Sequence, residues 1–142
     1  MRASLGLVLD ANILIRAVLG SRVRRLIVGM NKVTLMTPEV CFADAERYLP
    51  QILSSRDIPS VEVMPVLDEL RQIVLPVNED LFSAWKNEAI ARIGKRDMHD
   101  WPILALALTM NCPIWTEDKD FFGTGVATWT SDTVDRYLEE TD

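Results

Sequence analysis

Four acidic residues follow or flank predicted buried strands, and carboxylates at such places often carry chemistry. They are Asp10 in LVLDAN, Glu46 in FADAERYL, Asp100 in HDWPILALAL and Asp118 in WTEDKDFF. The apolar run at residues 7–9 stops at Asp10. In an α/β fold this places Asp10 at the carboxyl end of a parallel strand, where open sheets hold their ligands.

A second buried run, residues 113–115, stops at the acidic segment 116–120 in the same way. Two strand ends therefore bring carboxylates to one place. Grouped carboxylates without basic partners repel one another, so we expect them to share a hard divalent cation that prefers oxygen ligands. The sequence predicts a site for Mg²⁺ or Mn²⁺.

The elements that must position these residues alternate between strand and helix, which favours an α/β fold with a central parallel sheet flanked by helices. Thr37 is predicted to cap the third helix, with Pro38 at its first position and Pro50 ending or kinking it. Asn78 is predicted to cap one amphipathic helix that Gly94 ends. The predicted strands are 7–9, 33–36, 74–77, 113–115 and about 126–129; the predicted helices are 12–19, 21–28, about 38–54, about 60–73, 78–93, 100–110 and 132–139.

Length and composition fit one domain over residues 1–142, with 49% hydrophobic and 25% charged residues. No apolar stretch approaches the roughly 20 residues that cross a bilayer, and the start resembles no secretory signal, so we expect a cytoplasmic protein without a membrane partner. The two cysteines, Cys41 and Cys112, lack metal-site spacing and are expected to be buried free thiols.

The net charge of −6 argues against a nucleic-acid module that binds through excess Lys and Arg. Two bound divalent cations would reduce that charge to −2, so the net charge does not exclude a nucleic-acid substrate. Local basic groups near the acidic segments could hold phosphates, although a solvated surface explains any one of them equally well. These groups are Arg22, Arg24, Arg25, Lys95 and Arg96.

Together these segments resemble a PIN-domain nuclease in order and spacing over nearly the whole chain. The resemblance implies a three-layer α/β/α sandwich and hydrolysis of single-stranded RNA with a divalent metal. Many similar proteins are VapC-type toxins, which implies an antitoxin protein as a possible partner. The resemblance assigns the catalytic acids to Asp10, Glu46, Asp100 and Asp118, the metal ligands to Asp10, Asp100 and Asp118, and supporting roles to Asn12, Asp97, Thr116 and Asp120.

Several assignments keep an alternative. Glu39 shares a predicted helix face with Glu46, and we favour Glu46 because Glu39 has a structural role at the helix start. Asp100 is also suited to cap its helix, and capping is compatible with metal binding. Asp118 is favoured over Asp120, which suits an outer position or a turn cap.

Two other functions compete with the nuclease. Asp10 and Asn12 resemble the DxD loop of haloacid-dehalogenase-like phosphatases, but Asn12 stands where that family places its acid/base Asp. A non-catalytic PIN-like module that binds RNA or protein is the other alternative. Because His99 is the single histidine, a Ser/His/Asp hydrolase is improbable.

A homodimer is also expected, with the alternative that the surplus apolar residues cover this domain's own core. The predicted helix after residue 60 has more apolar positions than one core-facing stripe needs, and similar PIN proteins pair through helices. The positions are Val63, Met64, Val66, Leu67, Leu70 and Ile73.

Overall fold

The computed structural model describes residues 5–94 and 96–139, and its centre is a sheet of five parallel strands. The predicted three-layer α/β/α sandwich is confirmed. The strands are β1 (Leu5–Leu9), β2 (Val33–Pro38), β3 (Leu75–Val77), β4 (Ile114–Trp115) and β5 (Thr128–Trp129).

The strand order is β3-β2-β1-β4-β5, so the chain moves outward from β1 in one direction and later returns to its other side. Leu7 pairs with Leu35 of β2, and Leu9 pairs with Trp115 of β4. The order therefore reverses between β1 and β4. In open parallel sheets, a crevice forms beyond the carboxyl ends of the strands at such a reversal.

The sheet is covered by eight α-helices within the described ranges. The first four pack on one another, the next three pack on one another, and the seventh contacts β1 and β2. Their bounds are α1 (Ala11–Leu19), α2 (Ser21–Gly29), α3 (Glu39–Ser55), α4 (Ser60–Leu70), α5 (Glu79–Phe82), α6 (Lys86–Ile93), α7 (Trp101–Met110) and α8 (Val134–Glu139).

The apolar runs explain the centre of the core. Leu7, Val8 and Leu9 have no exposed surface, and neither have Ile114 and Trp115. A strand buried on both faces needs a continuous apolar run rather than an alternating one. The first polar side chain after each run therefore marks the edge of the sheet where the crevice lies.

Two local predictions need correction. Thr37 does not cap α3: it is buried in β2 and its hydroxyl donates to the carbonyl of Leu9 at 2.8 Å, so its donor serves the neighbouring strand. The predicted extent of the third helix, to about residue 54, agrees with α3, which continues through Pro50 to Ser55 because the buried Leu49 and Leu53 hold it against the core. A proline removes one intrahelical donor, and packing can offset that loss.

The second correction concerns the helix predicted at 78–93. Asn78 does cap a helix, since its side chain accepts from the Asp80 amide at 2.9 Å, but α5 ends at Phe82. A 3-10 turn, Ser83–Trp85, separates it from α6. Phe82 is buried and its ring lies 5.8 Å from that of Trp101, so tertiary packing favours the break. Gly94 ends α6 with a φ of 70°, as predicted.

Helix α4 packs most of its apolar positions inside this domain, since Val63, Met64 and Val66 are partly buried against the core. Leu67 and Leu70 are each 2% exposed and belong to the core, whereas Val61 is 84% exposed. A surface for a second copy must therefore exclude Leu67 and Leu70. No helix within the described ranges is both long and apolar enough to span a membrane.

We expect Leu67→Ala to lower the free energy of unfolding by about 2–5 kcal/mol, because truncating a buried leucine loses apolar burial and leaves a cavity. Val61→Ala, on the same helix, should change it by less than about 0.5 kcal/mol. Urea denaturation of both variants measures the difference. Equal effects would contradict this packing of α4.

Candidate active site

Asp10 is fixed at the carboxyl end of β1 by hydrogen bonds to both of its carboxylate oxygens. Oδ1 accepts from the Ile13 amide at 2.9 Å and so caps α1, and Oδ2 accepts from the hydroxyl of Thr116. Asp10 is 4% exposed and Thr116 is 1% exposed. The carboxylate therefore has a defined orientation, because β1 and α1 hold its backbone and Thr116 directly follows β4.

The segment after β4 continues this network. The amide of Asp118 donates to the Thr116 hydroxyl oxygen at 2.9 Å, and the amide of Asp120 donates to Oδ1 of Asp118 at 2.9 Å. Asp118 thereby caps the 3-10 turn Lys119–Phe121. One chain of hydrogen bonds joins Asp10 to Asp120 through Thr116 and Asp118.

Asp100 reaches the same place from the 3-10 turn Met98–Asp100, just before α7. It makes no side-chain capping bond to α7, so capping does not explain its presence. Asp97 is the residue that caps this turn, accepting from the His99 amide at 2.9 Å. Oδ2 of Asp100 is buried and has no hydrogen-bond partner among the described residues.

Asp100, Asp118 and Asp120 form a cluster in which one oxygen from each carboxylate lies within 4.8 Å of the others. We call this group the carboxylate cluster. A buried carboxylate oxygen without a donor is unfavourable unless a cation or proton satisfies it. Three oxygen donors of this kind fit a hard divalent cation such as Mg²⁺ or Mn²⁺.

The electrostatics of the two innermost acids agree with this interpretation. Burial raises the pKa of Asp10 to about 6, against the lowering effect of its hydrogen bonds. Burial also raises the pKa of Asp100 to about 7, and the nearby carboxylates of Asp97, Asp118, Asp10 and Asp120 raise it further. Each additional negative charge at this end of the sheet therefore disfavours ionisation of its neighbours.

Asp10, Asp100 and Asp118 line a cleft of about 780 Å³. Arg47 is the only Lys or Arg among the described residues that line it. Asn12, which we predicted to support the site, also lines this cleft, as does His99. The acidic lining residues are Asp10, Glu39, Asp44, Glu79, Asp97, Asp100 and Asp118.

The structure does not bring Glu46 to this cleft. Glu46 is exposed, and its Oε2 lies 3.1 Å from a guanidinium nitrogen of Arg71. Along α3, the cleft-lining positions include Val40, Asp44 and Arg47, a helical stripe, and Glu46 lies about 200° around the helix from Asp44. Glu39, the alternative to Glu46, lines the cleft.

Asp44 is a cleft residue that the sequence reasoning missed. It lies four residues after Val40 and three before Arg47, and both of these line the cleft. Its neighbours Cys41 and Ala45 are buried, so Asp44 stands at the border of the core-facing stripe. That border position on the helical wheel was the signal that could have identified it.

Most of the predicted basic groups have structural partners. Arg22 pairs with Asp132, and Arg24 donates to the carbonyls of Ala17 and Val18 at the end of α1. Arg25 donates to Ser21 on its own helix. Lys95 lies outside the described residues. Arg96 donates to the backbone of the segment that carries Asp120.

The thiols behave as predicted. Cys41 and Cys112 are both free and buried. Cys41 lines the cleft, where burial is the main cause that raises its thiol pKa to about 12. A protonated thiol is a poor metal ligand and a poor nucleophile, so the chemistry of the cleft rests on carboxylates.

Comparisons with known proteins agree with the fold. The family model for the PIN domain matches residues 8–139. A chain in the crystal structure of VapBC2 from Rickettsia felis bound to a DNA fragment from their promoter is similar, with a TM-score of 0.63. The two chains are 12% identical, and the match covers 89% of this chain and 98% of that chain, so it supports the fold alone. The sequence matches no curated protein significantly.

The metal-free protein should lose stability as pH rises from about 4 to about 7. In the unfolded chain these carboxyls ionise near 3.8, whereas Asp10 and Asp100 stay protonated in the folded protein up to about pH 6 and 7. Between these values the folded state binds more protons, so rising pH favours unfolding. The melting temperature in EDTA should be higher at pH 5 than at pH 8.

Asp100→Asn should reduce this difference and raise the metal-free melting temperature at pH 8, since it removes one of the repelling charges. Glu69→Gln, which changes an exposed carboxylate on α4, is the matched control and should leave the difference unchanged. A lower melting temperature for metal-free Asp100→Asn at pH 8 would show that repulsion does not dominate at this position.

Proposed function

The chain belongs to the PIN-domain family, and on that premise we propose that it is a metal-dependent endoribonuclease that hydrolyses single-stranded RNA. The observation that carries the proposal is the carboxylate cluster with its unpartnered Asp100 oxygen, beside the buried Asp10. These oxygens lie at the reversal of strand order, where an α/β sheet binds its ligand. The cofactor proposed is Mg²⁺ or Mn²⁺.

The metal would be held by Asp10, Asp100 and Asp118, with Asp120 as a further oxygen donor. A bound divalent ion supplies charge neutralisation at the phosphate and acidifies a water molecule, which makes hydroxide available near neutral pH. In-line displacement on the phosphodiester would then leave a 5′-phosphate and a 3′-hydroxyl.

The protein side chains have separate tasks in this proposal. Thr116 keeps Asp10 oriented and also fixes the amide of Asp118, so it aligns two ligands at once. Asp97 holds the turn that presents Asp100. Asn12 and Arg47 line the cleft and can contact the RNA backbone, Asn12 through its amide and Arg47 through its guanidinium.

The fourth acid of the site is better assigned to Asp44 than to Glu46. Asp44 lines the cleft, and its charge lies close enough to Cys41 to raise that thiol's pKa together with the charges of Asp10 and Asp100. Glu46 is engaged with Arg71 outside the cleft. We therefore propose that Glu46 has a structural role, in which its ion pair with Arg71 connects α3 to the segment after α4.

Family membership favours the nuclease over a haloacid-dehalogenase-like phosphatase. That alternative needs an acid/base Asp two residues after Asp10, and Asn12 stands there. A non-catalytic PIN-like module would keep the fold and lose the cleavage. Metal-dependent cleavage of RNA therefore separates the proposed function from both alternatives.

We expect the protein to cleave single-stranded RNA in Mg²⁺ or Mn²⁺ and to be inactive in EDTA. Asp10→Asn keeps the shape of the side chain but removes a charge, and should reduce the cleavage rate about a hundredfold or more. Glu46→Gln is the control and should retain activity, whereas Asp44→Asn should lose it. Circular dichroism establishes that each variant is folded.

Undiminished cleavage by folded Asp10→Asn, or full activity in EDTA, would contradict the proposed chemistry. RNA binding without any cleavage would favour the non-catalytic module. Loss of activity in Glu46→Gln together with normal activity in Asp44→Asn would restore Glu46 as the fourth acid.

An antitoxin protein is the partner we propose, because the similar structure from Rickettsia felis is named as VapBC2 bound to its promoter DNA. The proposed role is then the toxin of a toxin–antitoxin pair. A small reading frame for a DNA-binding protein beside this gene would support that role. Co-purification of its product with this chain tests it directly.

We also propose that the chain forms a homodimer, through the exposed apolar side chains that follow α4. Ile73 is 43% exposed, and Leu75 on the edge strand β3 is 55% exposed. Light scattering at tens of micromolar should give a dimer mass, and Leu75→Lys should give a monomer. Val28→Lys, at an equally exposed apolar position on α2, is the control and should remain dimeric.

A further inference from the structure

Arg96 joins the two segments of chain that supply the carboxylate cluster. It precedes the 3-10 turn Met98–Asp100. Its Nη1 donates to the backbone carbonyls of Asp120 and Phe122, each at 2.6 Å. Asp100 belongs to the first segment, and the second segment carries the other two members of the cluster.

This link opposes a force that the cluster itself creates. The carboxylates of Asp100, Asp118 and Asp120 approach within 4.8 Å, and their mutual repulsion drives the two segments apart. The second segment is anchored to the core by the fully buried Phe121. Among the described residues, no other hydrogen bond or ion pair joins residues 96–100 to residues 116–122.

Arginine suits this position better than lysine. The planar N–H groups of a guanidinium donate in fixed directions, whereas the donors of an ammonium group rotate. One nitrogen can thus contact two carbonyls two residues apart and hold the intervening turn. The sequence predicts that Arg96 binds phosphate or lies on a solvated surface, and these contacts leave its Nη1 unavailable to a phosphate.

We infer that Arg96 is a positioning residue for the metal centre, holding the backbone of residues 120–122 so that Asp118 and Asp120 stay beside Asp100. The inference rests on the proposed function for the identity of the bound metal. Arg96 does not contact the metal or the RNA in this role. It acts by ordering the ligands before the cation arrives, so that cation binding loses less conformational entropy.

The test compares Arg96→Ala and Arg96→Lys with Arg24→Ala. Arg24 is a matched control because it also donates to two backbone carbonyls, at 2.9 and 3.0 Å, but does so at the end of α1 opposite to Asp10. The first measurement is the dissociation constant for Mn²⁺ by titration calorimetry. The second is amide hydrogen exchange of residues 96–100 and 116–122 in the metal-free protein.

Arg96→Ala should bind Mn²⁺ about tenfold more weakly, as other groups that orient metal ligands do when they are removed. Arg96→Lys should recover part of that affinity, because an ammonium can donate to one of the carbonyls. Exchange in Arg96→Ala should accelerate in the two segments and not elsewhere. Arg24→Ala should melt at a lower temperature and bind Mn²⁺ with the parent affinity.

Parent affinity for Mn²⁺ in Arg96→Ala would overturn the inference while leaving the proposed function intact. An equal loss of affinity in Arg24→Ala would also overturn it, since a general loss of stability would then account for the effect. Absence of Mn²⁺ binding by the parent protein would contradict the metal dependence of the proposed function. Hydrogen exchange would still decide whether Arg96 holds the two segments together.

Discussion

Repulsion among carboxylates at the carboxyl ends of β1 and β4 is the constraint on which the site depends. Asp10 is almost fully buried, and one oxygen of Asp100 is buried without a donor. A domain retains such groups only if packing elsewhere offsets their unfavourable free energy. The offset comes from the strands beneath, where Leu7, Leu9 and Trp115 have no exposed surface.

The same constraint explains why hydrogen bonds are concentrated on one side of the site. Both oxygens of Asp10 accept bonds, from Ile13 and Thr116, and these bonds favour its charged form. Oδ2 of Asp100 accepts no hydrogen bond from the described residues, and the pKa of Asp100 rises further, to about 7. Asp10 therefore ionises more readily than Asp100, although burial raises the pKa of both carboxyls.

The sequence predicted the parts of the site that follow directly from buried strands. The apolar runs before Asp10 and before Thr116 located both strand ends, and parallel pairing brought them together as expected. The sequence did not predict the positions of side chains that depend on tertiary contacts. The Thr37 hydroxyl donates to the carbonyl of Leu9, a residue 28 positions away in the sequence. The orientation of α3 directs Glu46 toward Arg71. Helical spacing limits which residues share a face, but it does not say which face meets the cleft.

The distribution of charge links metal binding to RNA binding under the proposed function. Most nucleic-acid sites attract phosphates with Lys and Arg, and their affinity falls as salt displaces those contacts. Here the described residues that line the cleft include seven carboxylates but one arginine, Arg47. Arg22, Arg24 and Arg96 form hydrogen bonds with other groups of the protein. An RNA phosphate would be repelled from the bare cleft, so cations must bind before or with the substrate. Metal occupancy, rather than a basic surface, would then control RNA affinity as well as the rate of cleavage.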